Sequence, residues 1–372
     1  WTTADILQAT QGRLLSSSQD RMFAGIDIDS RRITADQFFV AIQGETHDGH
    51  TFIQDVVKQK VQGLMIATDR IAAMPIAQWN TQGIVSIAVD STTRGLGQLA
   101  RYNRQRAGAS VVAITGSNGK TTTRNMITAV VAQTYATLST SGNLNNEIGL
   151  PLTLFKLSEN HQWAVLELGM NHPGEMDRLG RICLPDIGVI TNIGPAHLEG
   201  LVSIEGVRDA KGELLQTITA DGTAVLNADD PHLVYLAQRT DRQVLFFGLS
   251  DTAHIRAVDI KDGASGIGFT LVLPEERVTV ELQTRGRFMV TNALAAAAVG
   301  YQIGLSGQAI RAGLESFKPV AGRLNLRQTS TGINIIDDTY NANPGSMRVA
   351  IETLQALKGA ERGVVVIGDM LE

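Results

Sequence analysis

The sequence predicts an α/β protein built around a mainly parallel sheet, and three observations predict it. From Ser110 onward, apolar strands alternate with helical segments, the pattern of parallel strands joined by crossovers. The helix "TTTRNMITAVVAQ" carries Met126, Ile127, Val130 and Val131 at three- and four-residue spacing, which marks one buried stripe. The strand before it runs straight into "GSNGKTTT", a glycine turn, a lysine and threonines at a helix start, which is how a protein holds a polyphosphate.

Taken in order, residues 1 to about 90 mix short strands and helices. "QFFVAIQG" (37–44) and "GLMIAT" (63–68) read as strands, with "FIQDVVKQK" (52–60) as a helix between them. "VSIAVDSTTRGLGQLARYNRQR" leaves a strand for a helix that bridges to the next domain. "VVAIT", "WAVLELG", "IGVITNIG" and "TAVLNADD" follow as strands of the central sheet, with functional groups expected where strands end. Alternating, turn-rich sequence at 243–284 predicts some antiparallel strands in the same domain, and "ALAAAAVGYQIGL" (293–305) reads as a buried helix. "SFKPVAGRLN" (316–325) looks like a hinge, and "INIIDDTYNANPGSM", a helix "MRVAIETLQAL" and a strand "RGVVVIGDMLE" begin another doubly wound unit. The expected domains are 1–90, 91–318 and 319–372. A buried parallel strand needs crossover helices on its faces, so the chain, which starts at Trp1 and stops on that strand, is expected to come from a longer protein.

Composition narrows the function. With 372 residues, two or three domains are expected, and 43% hydrophobic residues are ample for their cores. A net charge of −5 argues against nucleic acid as a partner. A single cysteine, Cys183, allows no disulfide within the chain and fits a reducing cytoplasm. No apolar run is long enough to span a membrane, and no signal peptide is visible.

The phosphate loop departs from the common G-x-x-x-x-G-K-[ST] pattern, because Ile114 stands five positions before Gly119. Thr115, Gly116, Ser117, Asn118, Gly119, Lys120, Thr121 and Thr122 form a shorter version. The physics is unchanged: glycines let backbone N–H groups converge on an anion, Lys120 reaches the β/γ-phosphates, and the Thr121 hydroxyl can hold Mg²⁺. Glu167 ends the second strand, "LELGMNHPGEM"; it is a metal ligand or a salt-bridged core glutamate. His197, after the third strand, is a ligand, a base or a structural residue. Lys211, in "RDAKGELLQ" at a predicted helix start, is a solvated lysine or one that CO₂ converts to an anionic oxygen ligand. Asn292 at the start of the Ala-rich helix is a cap or a nucleotide contact, and Arg323, Asp337 and Asp338 are placed to close on a nucleotide.

The set "TGSNGKTTT", "GNLNNEIGLPLTLF", "LELGMNHPGEM", "NIGPAHLEGL", "KGELL", "NALAAAA", "GRLN" and "DDTYNANPGSM" resembles, in order and over nearly the whole chain, the Mur ligases of peptidoglycan synthesis. "GNLNNEIGLP" and "DDTYNANPGSM" are most similar to the MurF family among them. The resemblance implies a three-domain architecture: a UDP-sugar-binding domain, a central P-loop-type ATP-binding domain and a Rossmann-like domain, here only partly present. It implies an ATP-dependent ligase that joins D-alanyl-D-alanine to UDP-N-acetylmuramoyl-tripeptide through an acyl phosphate, a cytoplasmic enzyme expected to be a monomer. It further implies two Mg²⁺ sites, one held by Thr121 and Glu167, the other by His197 and a carbamylated Lys211. Catalysis would rest on Lys120, Glu167, His197 and Lys211, and Asn292, Arg323, Asp338 and Asn341 would face the nucleotide. "DSRRI" and "GETHDGHTF" (44–52) match uridine-binding segments, giving Ser30, Arg31, Gly44, Asp48 and His50, with Asn145 and Asn146, as substrate-binding candidates. One departure stands out: Phe288 and Met289 replace a His-Asn pair before Asn292. Two other readings compete: a folylpolyglutamate synthase of the same superfamily, and a slow ATP-dependent switch, which would not need a second metal site.

Overall fold

A computed structural model describes residues 1–16, 20–44, 47–263 and 266–370. Two compact units divide the chain: residues 1–109 with 141–159, and residues 110–140 with 160–372.

The first unit is a five-stranded sheet. Its strands are β1 (Arg13–Leu14), β2 (Gly25–Asp27), β3 (Gln37–Val40), β4 (Gly63–Ala67) and β5 (Val85–Val89), in the order β1-β5-β4-β3-β2. β2 to β5 run parallel and β1 pairs antiparallel to β5. Period-two alternation sorts the side chains between two cores. Phe38, Val40, Met65, Val85 and Ile87 join Ile6, Leu96 and Leu99 on one face. Phe39, Leu64, Ile66 and Ala88 join Ile53, Val56 and Trp79 on the other. The helix Thr3–Thr10 opens with a reciprocal Thr2–Asp5 capping box. Helix Thr92–Ala107, capped by Ser91 and ended by Gly108 at φ 72°, covers one face. Residues 141–159 return to this unit: the Asn103 side chain donates to the carbonyls of Leu154 (2.9 Å) and Leu157 (3.0 Å), and Leu154 ends the helix Gly149–Leu154.

The second unit carries β6 (Ser110–Thr115), β7 (Thr137–Ser139), β8 (Trp163–Glu167), β9 (Ile187–Ile190), β10 (Thr223–Asn227), β11 (Gln243–Gly248), β12 (Ile255–Asp262), β13 (Ile267–Val272) and β14 (Arg277–Leu282). Their order is β14-β13-β12-β11-β10-β9-β6-β8-β7, parallel from β7 to β12 and antiparallel from β12 to β14. The antiparallel part is therefore narrower than the stretch 243–284, because β11 still pairs in parallel with β10. From β6 the chain moves to β7 and β8 on one side, then crosses to β9 on the other. The carboxyl end of β6 is thus the point where the winding reverses, where open α/β sheets bind ligands.

Helix Lys120–Val131 buries Met126, Ile127, Val130 and Val131, as their spacing predicts. Helix Arg287–Gln302 buries Ala293 to Ala298 against the same core. Asn292 lies inside that helix, not at its start, because the chain turns in at Gly286 (φ 99°) and the first turn begins at Arg287. Beyond helix Gly307–Ser316, β15 (Asn325–Gln328) and β16 (Asn334–Asp337) form an antiparallel pair, followed by helix Pro344–Lys358. The strand expected at "RGVVVIGDMLE" does not form among the described residues; Val364, Val365, Val366 and Ile367 are exposed. The run has strand propensity, but β15 and β16 pair with each other and lend it no ladder. No helix among the described residues is long and apolar enough to cross a membrane.

Candidate active site

The site is built on the turn from β6 into helix Lys120–Val131. Gly116 has φ 151°, and a Cβ there would meet the Thr191 hydroxyl at 2.0 Å. Gly119 has φ 80°, and a Cβ there would meet Asn292 Oδ1 at 2.7 Å. Only glycine fits either place, so the backbone packs directly on Thr191 and Asn292. Hydrogen bonds from the end of β9 hold the loop. Ser117 N–H donates to the Asn192 carbonyl (3.0 Å), and the Ser117 hydroxyl pairs with the backbone of Gly194 (2.9 Å). Asn118 N–H donates to Asn192 Oδ1 (2.9 Å), while its carbonyl accepts from the Thr191 hydroxyl (2.7 Å) and Asn192 Nδ2 (3.0 Å). Lys120 Nζ folds back to donate to the Gly116 carbonyl (2.8 Å). Thr121 and Thr122 are buried in the first helical turn. The hydroxyls of Thr115 and Thr123 are buried without a protein partner. Glycines that admit no Cβ, a lysine folded over them and unpaired hydroxyls beneath suit a polyphosphate cradle.

Glu167, at the end of β8, is 3% exposed, and its N–H donates to the Thr140 hydroxyl (3.0 Å). Arg124 reaches it from the loop's own helix, Nη1 to Oε2 at 3.3 Å, and also donates Nε (3.1 Å) and Nη2 (2.8 Å) to Asn125 Oδ1. Burial pushes the Arg124 pKa down; Glu167 opposes that, Arg323 adds to it, and Tyr340 opposes it. The Arg323 guanidinium lies 4.0 Å from the centre of the Tyr340 ring. Asp338 accepts from Leu324 N–H (3.1 Å); burial raises its pKa, while that hydrogen bond and Arg323 act against the rise. Asn341 is exposed and its Oδ1 accepts from Ala342 N–H (2.9 Å).

Lys211 is not at a helix start and is not solvated. It sits in the middle of helix Ile204–Thr217 and is 1% exposed. Burial pushes its pKa well below the usual lysine value, and the charge of Lys120 acts in the same direction. His197 is partly buried and takes a left-handed backbone (φ 55°) before the short helix Leu198–Leu201. Among the described residues no three His, Cys, Asp or Glu side chains gather as a metal site. Mg²⁺ binds through one or two carboxylates plus phosphate oxygens and water, so Glu167 beside the Thr121 turn is the kind of donor set it uses. Phe288 and Met289 pack into the sheet core.

The remaining candidates belong to the first unit. His50 is buried: its Nδ1 lies 2.6 Å from Asp48 Oδ1, and Ala67 N–H donates to its Nε2 (2.9 Å). Nε2 must accept, so Nδ1 carries the proton and donates to Asp48. Asp48 also pairs with Arg70 (3.0 Å). Arg31 is exposed and paired with Asp29 (2.8 Å), and the Ser30 carbonyl accepts from Gln59 (2.8 Å). Gly44 N–H donates to the His47 carbonyl (2.8 Å); Glu45 and Thr46 of the same segment lie outside the described residues. Asn146 Oδ1 accepts from Ile148 N–H (3.2 Å) and Gly149 N–H (2.9 Å), and Asn145 N–H donates to the Asn143 carbonyl (2.8 Å).

Four residues escape a reading of the sequence alone: Arg124, Thr191, Asn192 and Asn343. Arg124 had a signal, since it shares a helical stripe with Ile127 and Val131, and a charge on a core face needs a partner. Asn343 before Pro344 is a helix-start signature.

A phosphate cradle at the reversal point of a doubly wound sheet, with a buried carboxylate and a buried lysine in the same unit, defines an ATP-using enzyme of the ligase type. The Mur ligase middle domain matches residues 114–300, and the Mur ligase glutamate ligase domain matches residues 322–372. The UDP-N-acetylmuramoyl-tripeptide–D-alanyl-D-alanine ligase of Bacillus subtilis is 36% identical over the whole chain, which spans 79% of that protein. The crystal structure of MurF from Acinetobacter baumannii superposes with a TM-score of 0.87 at 35% identity, covering 95% of this chain and 76% of that one. MurF from Thermotoga maritima in complex with ADP gives a TM-score of 0.78 at 28% identity, covering 90% of this chain and 74% of that one. The chain belongs to the MurF family of Mur ligases.

Proposed function

We infer that this chain is an ATP-dependent ligase that joins D-alanyl-D-alanine to UDP-N-acetylmuramoyl-tripeptide and so makes the pentapeptide precursor of peptidoglycan. The tripeptide's terminal carboxylate attacks the γ-phosphorus of ATP, giving an acyl phosphate and ADP. The dipeptide amine then attacks the acyl carbon, and the tetrahedral intermediate collapses to an amide and inorganic phosphate. Each step gathers negative charge on oxygen. Lys120 and the N–H groups of the loop are assigned to that charge, where preorganised donors are worth most. Water must be kept out, or the acyl phosphate hydrolyses. The divisions 1–90, 91–318 and 319–372 are read as the UDP-sugar, ATP and closing parts, and the enzyme as a cytoplasmic monomer.

Mg²⁺, when bound, neutralises phosphate oxygens and aligns them. Thr121 and Glu167 are assigned to one ion, His197 and Lys211 to the other. Support for Lys211 comes from its burial: desolvation makes the amine give up its proton more readily, and the neutral amine is the form that adds CO₂. The carbamate would bring an anion to the neighbourhood of Lys120. Asn292, Arg323, Asp338 and Asn341 are assigned to the nucleotide. The uridine side is assigned to Ser30, Arg31, Gly44, Asp48, Asn145 and Asn146, with His50 holding the segment, since both its ring nitrogens bond within the unit.

The observation that carries the reading is the Lys211 amine, 1% exposed in the middle of helix Ile204–Thr217; a simple ATP switch has no use for it. The test is ADP release with ATP and Mg²⁺, adding UDP-muramoyl-tripeptide and D-alanyl-D-alanine singly and together. Turnover should need both, with the UDP-muramoyl-pentapeptide as the product by mass spectrometry. ATP consumption without either, or a different acceptor joined, would overturn the substrate assignment.

A further inference from the structure

Asn343 makes two different bonds with its two amide atoms. Its Oδ1 accepts from Ser346 N–H (2.8 Å), and Ser346 Oγ answers by accepting from Asn343 N–H (3.0 Å), so together they cap helix Pro344–Lys358. The cap requires an acceptor, which fixes the amide's orientation and leaves Nδ2, a pure donor, pointing away from the helix. That Nδ2 donates to Asn118 Oδ1 at 2.9 Å, across 225 positions of sequence. Asn118 is the residue of the phosphate loop whose N–H and carbonyl are already held by Asn192 and Thr191. Gly345 lies against the same amide: a Cβ there would meet Asn118 Nδ2 at 2.9 Å.

We propose that the Asn343–Asn118 amide pair is a latch that ties the segment after Arg323 to the phosphate loop, with Asn343 a positioning residue for ligation. The loop keeps its shape without the latch, because its backbone is held from β9. The latch therefore acts on how the Asn343 segment docks over the loop, and not on how the loop holds phosphate. Its loss should lower kcat more than it raises the KM for ATP. One hydrogen bond between neutral amides is worth about a five-fold shift in such a docking equilibrium.

The inference rests on the ligase reading above, and the full chain tests both. Asn343→Ser keeps a good cap and removes only the reach to Asn118, whereas Asn343→Ala removes both. Gly345→Ala adds a methyl at an ordinary helical φ and pushes the two amides apart. The expected results are a melting temperature unchanged in Asn343→Ser, an unchanged Kd for ADP, and kcat lowered about five-fold in Asn343→Ser and in Gly345→Ala. Combining Asn343→Ser with Asn118→Ser should add nothing to the Asn118→Ser defect, since both break one bond. Wild-type kcat in Asn343→Ser, with a defect confined to Asn343→Ala, would reduce Asn343 to a helix cap and end the proposal. An additive double variant would do the same. Failure of the unaltered protein to form the pentapeptide would instead remove the ligase reading.

Discussion

Arg124→Met tests whether the buried pair beneath the phosphate loop is what holds Glu167 in place. The two side chains are 7% and 4% exposed and 3.3 Å apart. At that separation the attraction is roughly 5 kcal/mol for an effective dielectric near 20, and desolvation of both groups offsets most of it. Removing one partner is different from never having had the pair. It leaves a carboxylate in the interior, which costs about 3–5 kcal/mol. Methionine fills the volume of the arginine stem, so the lower end, about 3 kcal/mol, is expected. Urea unfolding at neutral pH, followed by circular dichroism, gives the loss directly. Adding Glu167→Gln removes the charge that Arg124 faces, so the double variant should be less destabilised than the sum of the singles by about 2 kcal/mol. A loss below about 1 kcal/mol, the range of solvent-exposed pairs, would refute the reasoning, as would simple additivity.

Three further outcomes are expected. Lys211→Met should abolish ligation yet flatten the pH dependence of stability. The native amine binds protons more weakly than the unfolded one, so the wild type gains stability as pH rises toward the ordinary lysine value of 10.5. Urea midpoints at two pH values in CO₂-free buffer check this, and equal slopes for the two proteins would sink it. Val202 is β-branched at φ 66°, ψ −40° and 87% exposed. Val202→Gly should therefore stabilise by about 1–1.5 kcal/mol, the relief of roughly 2 kcal/mol of strain less about 0.5–1 kcal/mol for glycine's entropy; an unchanged or lower melting temperature would contradict it. Gly180 faces Thr217, whose Oγ1 would lie 2.1 Å from an added Cβ. Gly180→Ala should cost about 1–3 kcal/mol and disturb the helix that carries Lys211, seen as a lower melting temperature together with weakened turnover.

What could be read from the sequence was whatever is local. The turn at Gly116–Lys120 declares itself because glycine, lysine and threonine act through neighbouring backbone. The stripe of Met126, Ile127, Val130 and Val131 does so because helical spacing is a local property. Arg124 stayed hidden because its partner, Glu167, lies on another strand. Lys211 could not be told from a surface lysine, since "RDAKGELL" is polar around it and its burial comes from elements distant in sequence. Residues 141–159 follow β7, a strand of the central sheet, almost directly, yet belong with the first unit. Leu150 and Leu154 show that a core is needed but not which one. The apolar run after Arg362 has the composition of a strand, and composition cannot supply the neighbour a strand pairs with.

The return of residues 141–159 to the first unit bears on how the protein emerges from the ribosome. The chain passes between the two units at 109/110, again at 140/141 and again at 159/160. Asn103 cannot meet the carbonyls of Leu154 and Leu157 until those residues have been made. The amino-terminal unit therefore stays incomplete while β6, the phosphate loop and β7 are already being synthesised, at about 5–20 residues per second. Severing the chain after Ala109 would leave helix Thr92–Ala107 without the segment that covers it. The first unit cannot be excised at Ala109 as an intact module, and the nascent protein must hold one unit open while it begins the next.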